Sequence, residues 1–240
     1  MKILGIITAR GGSTRLPGKN IRDFLGKPLL AWTIETALES GVMDRVVLST
    51  DSDDIAEVGK RYGAEVLFKR PAELSTAEAG SLGVVAHASQ WLKDNQGYEA
   101  PWIMLLEPPS PGRQVFHLKE VAKIIENKND QIDSLIGVSK MPGHYNPFKA
   151  FKLGDDVLMS RWHDGAAIKD FWGRYNNQTM PDAYYNNSMV YAFRDSNLFD
   201  AKPSLWGERV YGYLMDYKYS MDIDTEEEWK IAELKMKELL

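Results

Sequence analysis

A seven-residue apolar run, ILGIITA, follows Lys2 and ends at Arg10. A continuous run, unlike an alternating one, predicts a strand buried on both faces. Pro28 then opens a helix that reaches about Ser40, with Gly41 beyond its end. Strand patterns follow at 45–50, 64–68, 102–106 and 134–139, and helical ones at 52–62, 81–94 and 115–127. Strand and helix thus alternate to residue 139. This is an α/β pattern that predicts a doubly wound, mostly parallel sheet. Such sheets bind ligands beyond the carboxyl ends of their strands, which directs attention to the loops after residues 9, 50, 68 and 106.

The regularity stops after residue 140. The span 141–181 is rich in Gly, Pro, Trp, Asn and Tyr, with a candidate hairpin of strands 149–153 and 157–160 around 154–156. An irregular span this long is usually functional or part of an interface. Strands return at 188–193 and 209–215. A last helix covers 225–240, capped by Thr225 with Glu228 three residues on. The chain therefore divides into a core, 1–139, an excursion, 140–187, and a return to the core, 188–240.

Composition narrows the classes. With 240 residues, 44% hydrophobic and 26% charged, the chain is long enough to bury a core as one large domain. It has no cysteine, which excludes disulfides, thiolate metal sites and a cysteine nucleophile. The first apolar run is too short to span a membrane and no cleavage pattern follows it, so the expectation is a cytoplasmic protein with no membrane partner. A net charge of −5, from 29 basic and 34 acidic residues, argues against nucleic acid as a partner. The charges are unevenly spread. Arg10, Arg15, Lys19, Arg22 and Lys27 gather against a single acid, Asp23, while five acids lie between Asp222 and Glu228.

The loop Arg10-Gly11-Gly12-Ser13-Thr14-Arg15-Leu16-Pro17-Gly18-Lys19-Asn20 carries the strongest chemical signal. Paired glycines let backbone amides approach an anion, and Arg and Lys add positive charge. The spacing fits neither the dinucleotide fingerprint nor the P-loop, since five residues separate Gly12 from Gly18 and Asn20 follows Lys19. A solvated basic loop is the bland alternative, and the cation density directly after the first strand disfavours it. Near the other end, Asp222 and Asp224 alternate on an extended segment and can point the same way. Their hard oxygens suit Mg2+. Acids at a helix N-terminus explain Glu226, Glu227 and Glu228 better than they explain this pair.

The run ITARGGSTRLPGKNI, residues 7–21, resembles the signature of the acylneuraminate (CMP-sialic acid) cytidylyltransferases and the related CMP-nonulosonic acid and CMP-Kdo synthetases. Ser49-Thr50-Asp51, Arg70-Pro71-Ala72-Glu73-Leu74 with Ala79-Gly80-Ser81, and Ser220-Met221-Asp222-Ile223-Asp224 extend the resemblance over almost the whole chain. It implies a Rossmann-like nucleotidyltransferase fold and a reaction of CTP with a sugar acid to give a CMP-sugar and pyrophosphate. By this resemblance Ala9, Arg10, Gly11, Gly12, Ser13, Lys19 and Asn20 bind nucleotide, and Arg70 and Ser81 help read the base. Arg10, Arg15, Lys19 and Asp222 would be catalytic, and Asp222 with Asp224 would hold Mg2+. Glu107, Lys149, Arg174, Asn187 and Tyr191 would bind the sugar. The excursion would cross to a second subunit, giving a homodimer with shared active sites.

Four positions depart from the pattern. Thr14 stands where lysine is usual, Glu107 where glutamine is, Pro109 where threonine is, and Ser188 where glycine is. A carboxylate for an amide removes two donors and adds negative charge beside an anionic substrate. These departures leave two other expectations open. One is a guanylyl- or uridylyltransferase acting on a sugar 1-phosphate. The other is a nucleotide-binding homologue without activity.

Overall fold

The computed structural model describes residues 1–13, 15–155, 158–162, 164–166 and 180–240. The first strand, β1 (Ile3–Thr8), buries both faces. Ile3 and Ile7 pack into one apolar cluster and Leu4 and Ile6 into another. A short hairpin of β2 (Asp23–Phe24) and β3 (Lys27–Pro28) leads into α1 (Leu29–Ser40), which Gly41 ends in the left-handed conformation. Next come β4 (Arg45–Ser49), α2 (Asp53–Arg61), α3 (Ser81–Gln96), β5 (Trp102–Leu106), α4 (Val115–Lys128) and β6 (Ser134–Lys140). The excursion carries the hairpin β7 (Phe151–Leu153) and β8 (Met159–Arg161), paired Phe151 to Arg161 and Leu153 to Met159. The chain returns through β9 (Tyr184–Arg194), β10 (Val210–Leu214) and α5 (Glu226–Lys237).

Among the described residues the main sheet has the order β10-β6-β9-β5-β1-β4. β1 is parallel to β4 and β5, and β10 is parallel to β6. β9 lies antiparallel between β5 and β6, which makes the sheet mostly parallel. Helices α1, α2 and α4 cover one face, through residues such as Leu30, Ile34, Ile55, Leu118 and Val121. Helix α3 covers the other with Val85, Ala88 and Leu92. Helix α5 builds a third cluster, in which Trp229 and Met236 meet Leu16, Phe24, Met221 and Ile223. That cluster seats the first basic loop and the late acidic segment on one apolar base.

Two expectations shift. The strand expected at 64–68 contracts to a bridge between Glu65 and Val47. Glu65 exchanges backbone bonds with Val46 and Leu48, and the chain then turns so that the Arg70 N–H reaches the carbonyl of Thr50. The strand expected from residue 188 begins at Tyr184, across the boundary drawn there. Its register against β6 shifts between Ile136 and Val138.

Candidate functional site

The loop after β1 is pinned from several sides. Ala9 is buried and its N–H donates to the Ser49 carbonyl at 3.1 Å. The Gly11 N–H donates to Asp51 Oδ1 at 2.9 Å, and Leu16 anchors the loop in the third cluster. The cations then meet the late acids. Lys19 Nζ donates to Asp224 Oδ1 at 2.7 Å and to the Ile223 carbonyl at 2.8 Å. Arg15 Nη2 donates to Asp224 Oδ2 at 2.5 Å, and Arg22 forks onto Glu226 at 2.6 and 2.7 Å. Buried Met221 and Ile223 turn Asp222 and Asp224 the other way, as alternation on an extended segment requires. The Ile223 N–H donates to the Pro109 carbonyl at 3.0 Å, which ties this segment to the loop after β5.

These elements enclose a cavity of about 280 Å³ at the carboxyl ends of β1 and β5. Arg10, Lys19 and Asn20 line it from the first loop, and Arg70 and Ser81 from the segment before and at the start of α3. Glu107 lines it from the end of β5, and Asp222 and Asp224 from the late segment. Gly11 and Gly12 are exposed and Ser13 is half-buried, outside the cavity lining. Arg15 enters the site only through Asp224. Thr14 and Arg174 lie outside the described residues, and Lys149 sits in the turn Pro147–Lys149, away from the lining.

Arg70 is buried, not a surface charge before a turn. Its Nε donates to Ser49 Oγ at 3.0 Å and its Nη2 to the Ser49 carbonyl. Burial, with Arg10 nearby, lowers its pKa to about 10, and Asp51 partly offsets this. Glu107 accepts a weak bond from Ser81 Oγ at 3.4 Å. Burial first, and then the charge of Asp222, push its carboxyl above the usual range, while Arg113 and Lys19 pull the other way. Asp222 opens to solvent through the cavity, yet protein atoms flank it closely. That partial desolvation, and then Asp224, raise its pKa, while Ser188 and Lys19 lower it.

Asn187 and Tyr191, both expected to bind the sugar, are placed differently. Asn187 is buried, its amide donating to Ser139 Oγ at 3.0 Å while its Oδ1 accepts from the Met189 N–H at 3.1 Å. Both bonds hold the backbone where β9 bulges, so Asn187 supports the site from behind. Tyr191 is also buried, but its hydroxyl accepts from Asn186 Nδ2 at 3.1 Å and lies near Glu107, Asp222 and Ser188.

Sequence reasoning did not single out Thr8, Val84 or Arg113. The first two line the cavity. Arg113 is fully buried, its Nε donating to the Met189 carbonyl, Nη1 to Thr33 Oγ1 at 3.2 Å and Nη2 to the Glu107 carbonyl at 3.1 Å. It clamps the loop after β5 onto β9. Its place in a Pro- and Gly-rich stretch gave no sign of burial.

A basic loop, a buried arginine and a carboxylate pair around one cavity at the carboxyl edge of a mostly parallel sheet suit the transfer of a nucleotidyl group. The comparisons agree. A family profile described as Cytidylyltransferase matches residues 4–202. The N-acylneuraminate cytidylyltransferase of Escherichia coli is 30% identical over 231 residues, 96% of this chain but 51% of that protein. The chain therefore spans about half the length of that relative. The pseudaminic acid cytidylyltransferase of Campylobacter jejuni is 33% identical over 236 residues, 98% of this chain and 96% of that one. Among solved structures, a CMP:2-keto-3-deoxy-manno-octonic acid synthetase complexed with CTP superposes with a TM-score of 0.69 at 16% identity, with 100% of both chains covered, and so shares the fold. The chain belongs to the cytidylyltransferase family, a family of nucleotidyltransferases.

Proposed function

We propose that this protein transfers a cytidylyl group from CTP to the anomeric hydroxyl of a nonulosonic sugar acid, releasing pyrophosphate. The cavity carries this reading. It combines the loop cations Arg10 and Lys19, the buried Arg70 with Ser81, and the carboxylates Asp222 and Asp224. Relatives named for N-acylneuraminate and pseudaminic acid supply the substrate class. The triphosphate lies over the loop 10–19, where Arg10 and Lys19 neutralise charge on the departing pyrophosphate. The sugar hydroxyl oxygen forms the new bond to the α-phosphorus as the bond to the bridging oxygen breaks, pyrophosphate leaves with that oxygen, and the hydroxyl proton passes to solvent. Such chemistry rests on in-line positioning and charge neutralisation. Arg70 and Ser81 face the base.

Among the described residues no cluster of three or more His, Cys, Asp or Glu forms a closed metal site. Two carboxylates on one open cavity suit Mg2+, which keeps waters and takes phosphate oxygens. Asp222 and Asp224 would hold it, and when bound it would neutralise phosphate charge and acidify the attacking hydroxyl. A homodimer formed through the excursion, acting in the cytoplasm where CTP is made, completes the proposal. Among the described residues no helix is long and apolar enough to cross a membrane.

A matrix of nucleoside triphosphates against sugar acids, read by pyrophosphate release, tests the reading. Release is expected with CTP and a nonulosonic acid, and release only with GTP or UTP would overturn it.

A further inference from the structure

Glu107 directly follows the last residue of β5 and lines the cavity. An ionised carboxylate can accept about four hydrogen bonds. Among the described residues this one accepts a single weak bond, from Ser81 Oγ at 3.4 Å, and joins no ion pair. Asp224, by contrast, is gripped by Arg15 and Lys19. Arg113 does not fill the gap, because its Nη2 donates to the Glu107 backbone carbonyl at 3.1 Å. That bond fixes the main chain and leaves the acceptor capacity of the carboxylate open to whatever enters the cavity.

Its neighbours set its place along the cavity wall. On one side is Ser81, at the start of α3, with Arg70 lining the same cavity. On the other, two residues further on, the Pro109 carbonyl accepts from the Ile223 N–H at 3.0 Å, and Ile223 stands between Asp222 and Asp224. Glu107 therefore lies between the residues that face the base and those that face metal and phosphate. A nucleotide laid along this wall puts its ribose there, since ribose joins base to phosphate. The chemistry agrees. A carboxylate repels phosphate and only accepts, whereas the ribose 2′ and 3′ hydroxyls are two neighbouring, uncharged donors. A carboxylate on a ribose hydroxyl is also how other nucleotide-binding parallel sheets hold this sugar.

We propose that Glu107 is a specificity-determining residue whose carboxylate accepts from the ribose hydroxyls of CTP and so selects ribonucleotide over deoxyribonucleotide. This rests on the reading of Arg70 and Ser81 as the base end and of Asp222 and Asp224 as the metal end. Glu107→Ala and Glu107→Gln test it, by calorimetric titration of CTP, 2′-deoxy-CTP and 3′-deoxy-CTP into the protein with Mg2+ and no sugar acid. The wild type should bind CTP roughly tenfold more tightly than either deoxy analogue, the effect of one hydrogen bond to a charged group. Glu107→Ala should bind all three alike. Glu107→Gln keeps an acceptor oxygen but loses the charge, so its preference should fall between. Both variants should melt at or above the wild-type temperature, because the carboxylate makes one weak bond in the folded chain. A wild type that binds the three nucleotides alike, or a Glu107→Ala variant that keeps the tenfold preference, would overturn the proposal. So would a Glu107→Ala defect confined to the KM of the sugar acid, which would put the carboxylate on the acceptor sugar. Failure of the cytidylyl reading would look different: no binding of CTP to the wild type at all overturns both, whereas CTP binding without the ribose preference overturns this proposal alone.

Discussion

Lys19 and Arg15 both reach Asp224, but their surroundings differ. The Lys19 side chain is 11% exposed and donates also to the Ile223 carbonyl, whereas that of Arg15 is 68% exposed. An exposed charge is screened by water and contributes little as a fixed partner. A nearly buried ammonium aimed into a cavity acts at lower dielectric, where stabilising a charged leaving group is worth more. Lys19→Ala should therefore lower kcat/KM about 100-fold, and Arg15→Ala only about fivefold, in assays of pyrophosphate release with CTP. Equal losses would show that Arg15 is drawn inward when nucleotide binds. Neither variant should unfold, because the loop is seated by Leu16 in the apolar cluster under α5.

The loop after β5 and the late acidic segment are held together by close backbone approach. A Cβ on Gly112 would lie 2.1 Å from the Tyr219 carbonyl oxygen, and backbone cannot yield as a flexible side chain can. Gly112→Ala should cost about 2 kcal/mol of stability in thermal unfolding and, by displacing the segment that carries Asp222, lower turnover by more than the stability loss alone explains. At the opposite end of the sheet, Asp133 joins the start of β6 to the approach to β10. It accepts from the Arg209 side chain and from the Arg209 and Glu208 N–H groups, and these bonds hold its pKa at about 2. A carboxylate with a depressed folded pKa lends stability above its ordinary value near 3.8, and that stability is lost as pH falls through about 2. Asp133→Asn should thus unfold about 1 kcal/mol more easily at pH 7, reduced from the full shift because Arg209 is half exposed, with the gap closing between those two pH values. The sequence patterns were readable where burial alone decided the element. The run at β1 and the Pro28–Gly41 helix limits fall where the pattern put them. The segment 64–68 misled because its apolar residues pack on α3 and α2 without pairing as a strand. The cavity's cations and acids were legible as residue types. The Arg113 clamp was not, since its guanidinium reaches partners as distant in sequence as Thr33 and Met189, which no local spacing encodes.

At the scale of the molecule, the excursion carries several exposed large apolar side chains. Tyr145 is 68% exposed, Leu153 67%, Met159 51% and Trp162 59%. Leu153 and Met159 sit opposite each other across β7 and β8, and directly paired residues of an antiparallel hairpin share one face. A three-residue-per-strand hairpin with such a face is marginal in water by itself. In the proposed homodimer, apolar contact with a second copy would supply the missing burial, and aromatic and Met side chains are enriched in the cores of such interfaces. Size-exclusion chromatography with light scattering should therefore give a dimer for the wild type. Placing two carboxylates on the paired face, as Leu153→Glu with Met159→Glu, should give a monomer, because burying unpaired charge at an apolar contact costs far more than one interface side chain contributes. The core clusters involve neither residue, so the monomer should keep its cooperative thermal transition. Its turnover should fall, since the proposed sites are completed across the interface. A wild type that is monomeric and fully active would show that each chain completes its own site and that this face serves another purpose.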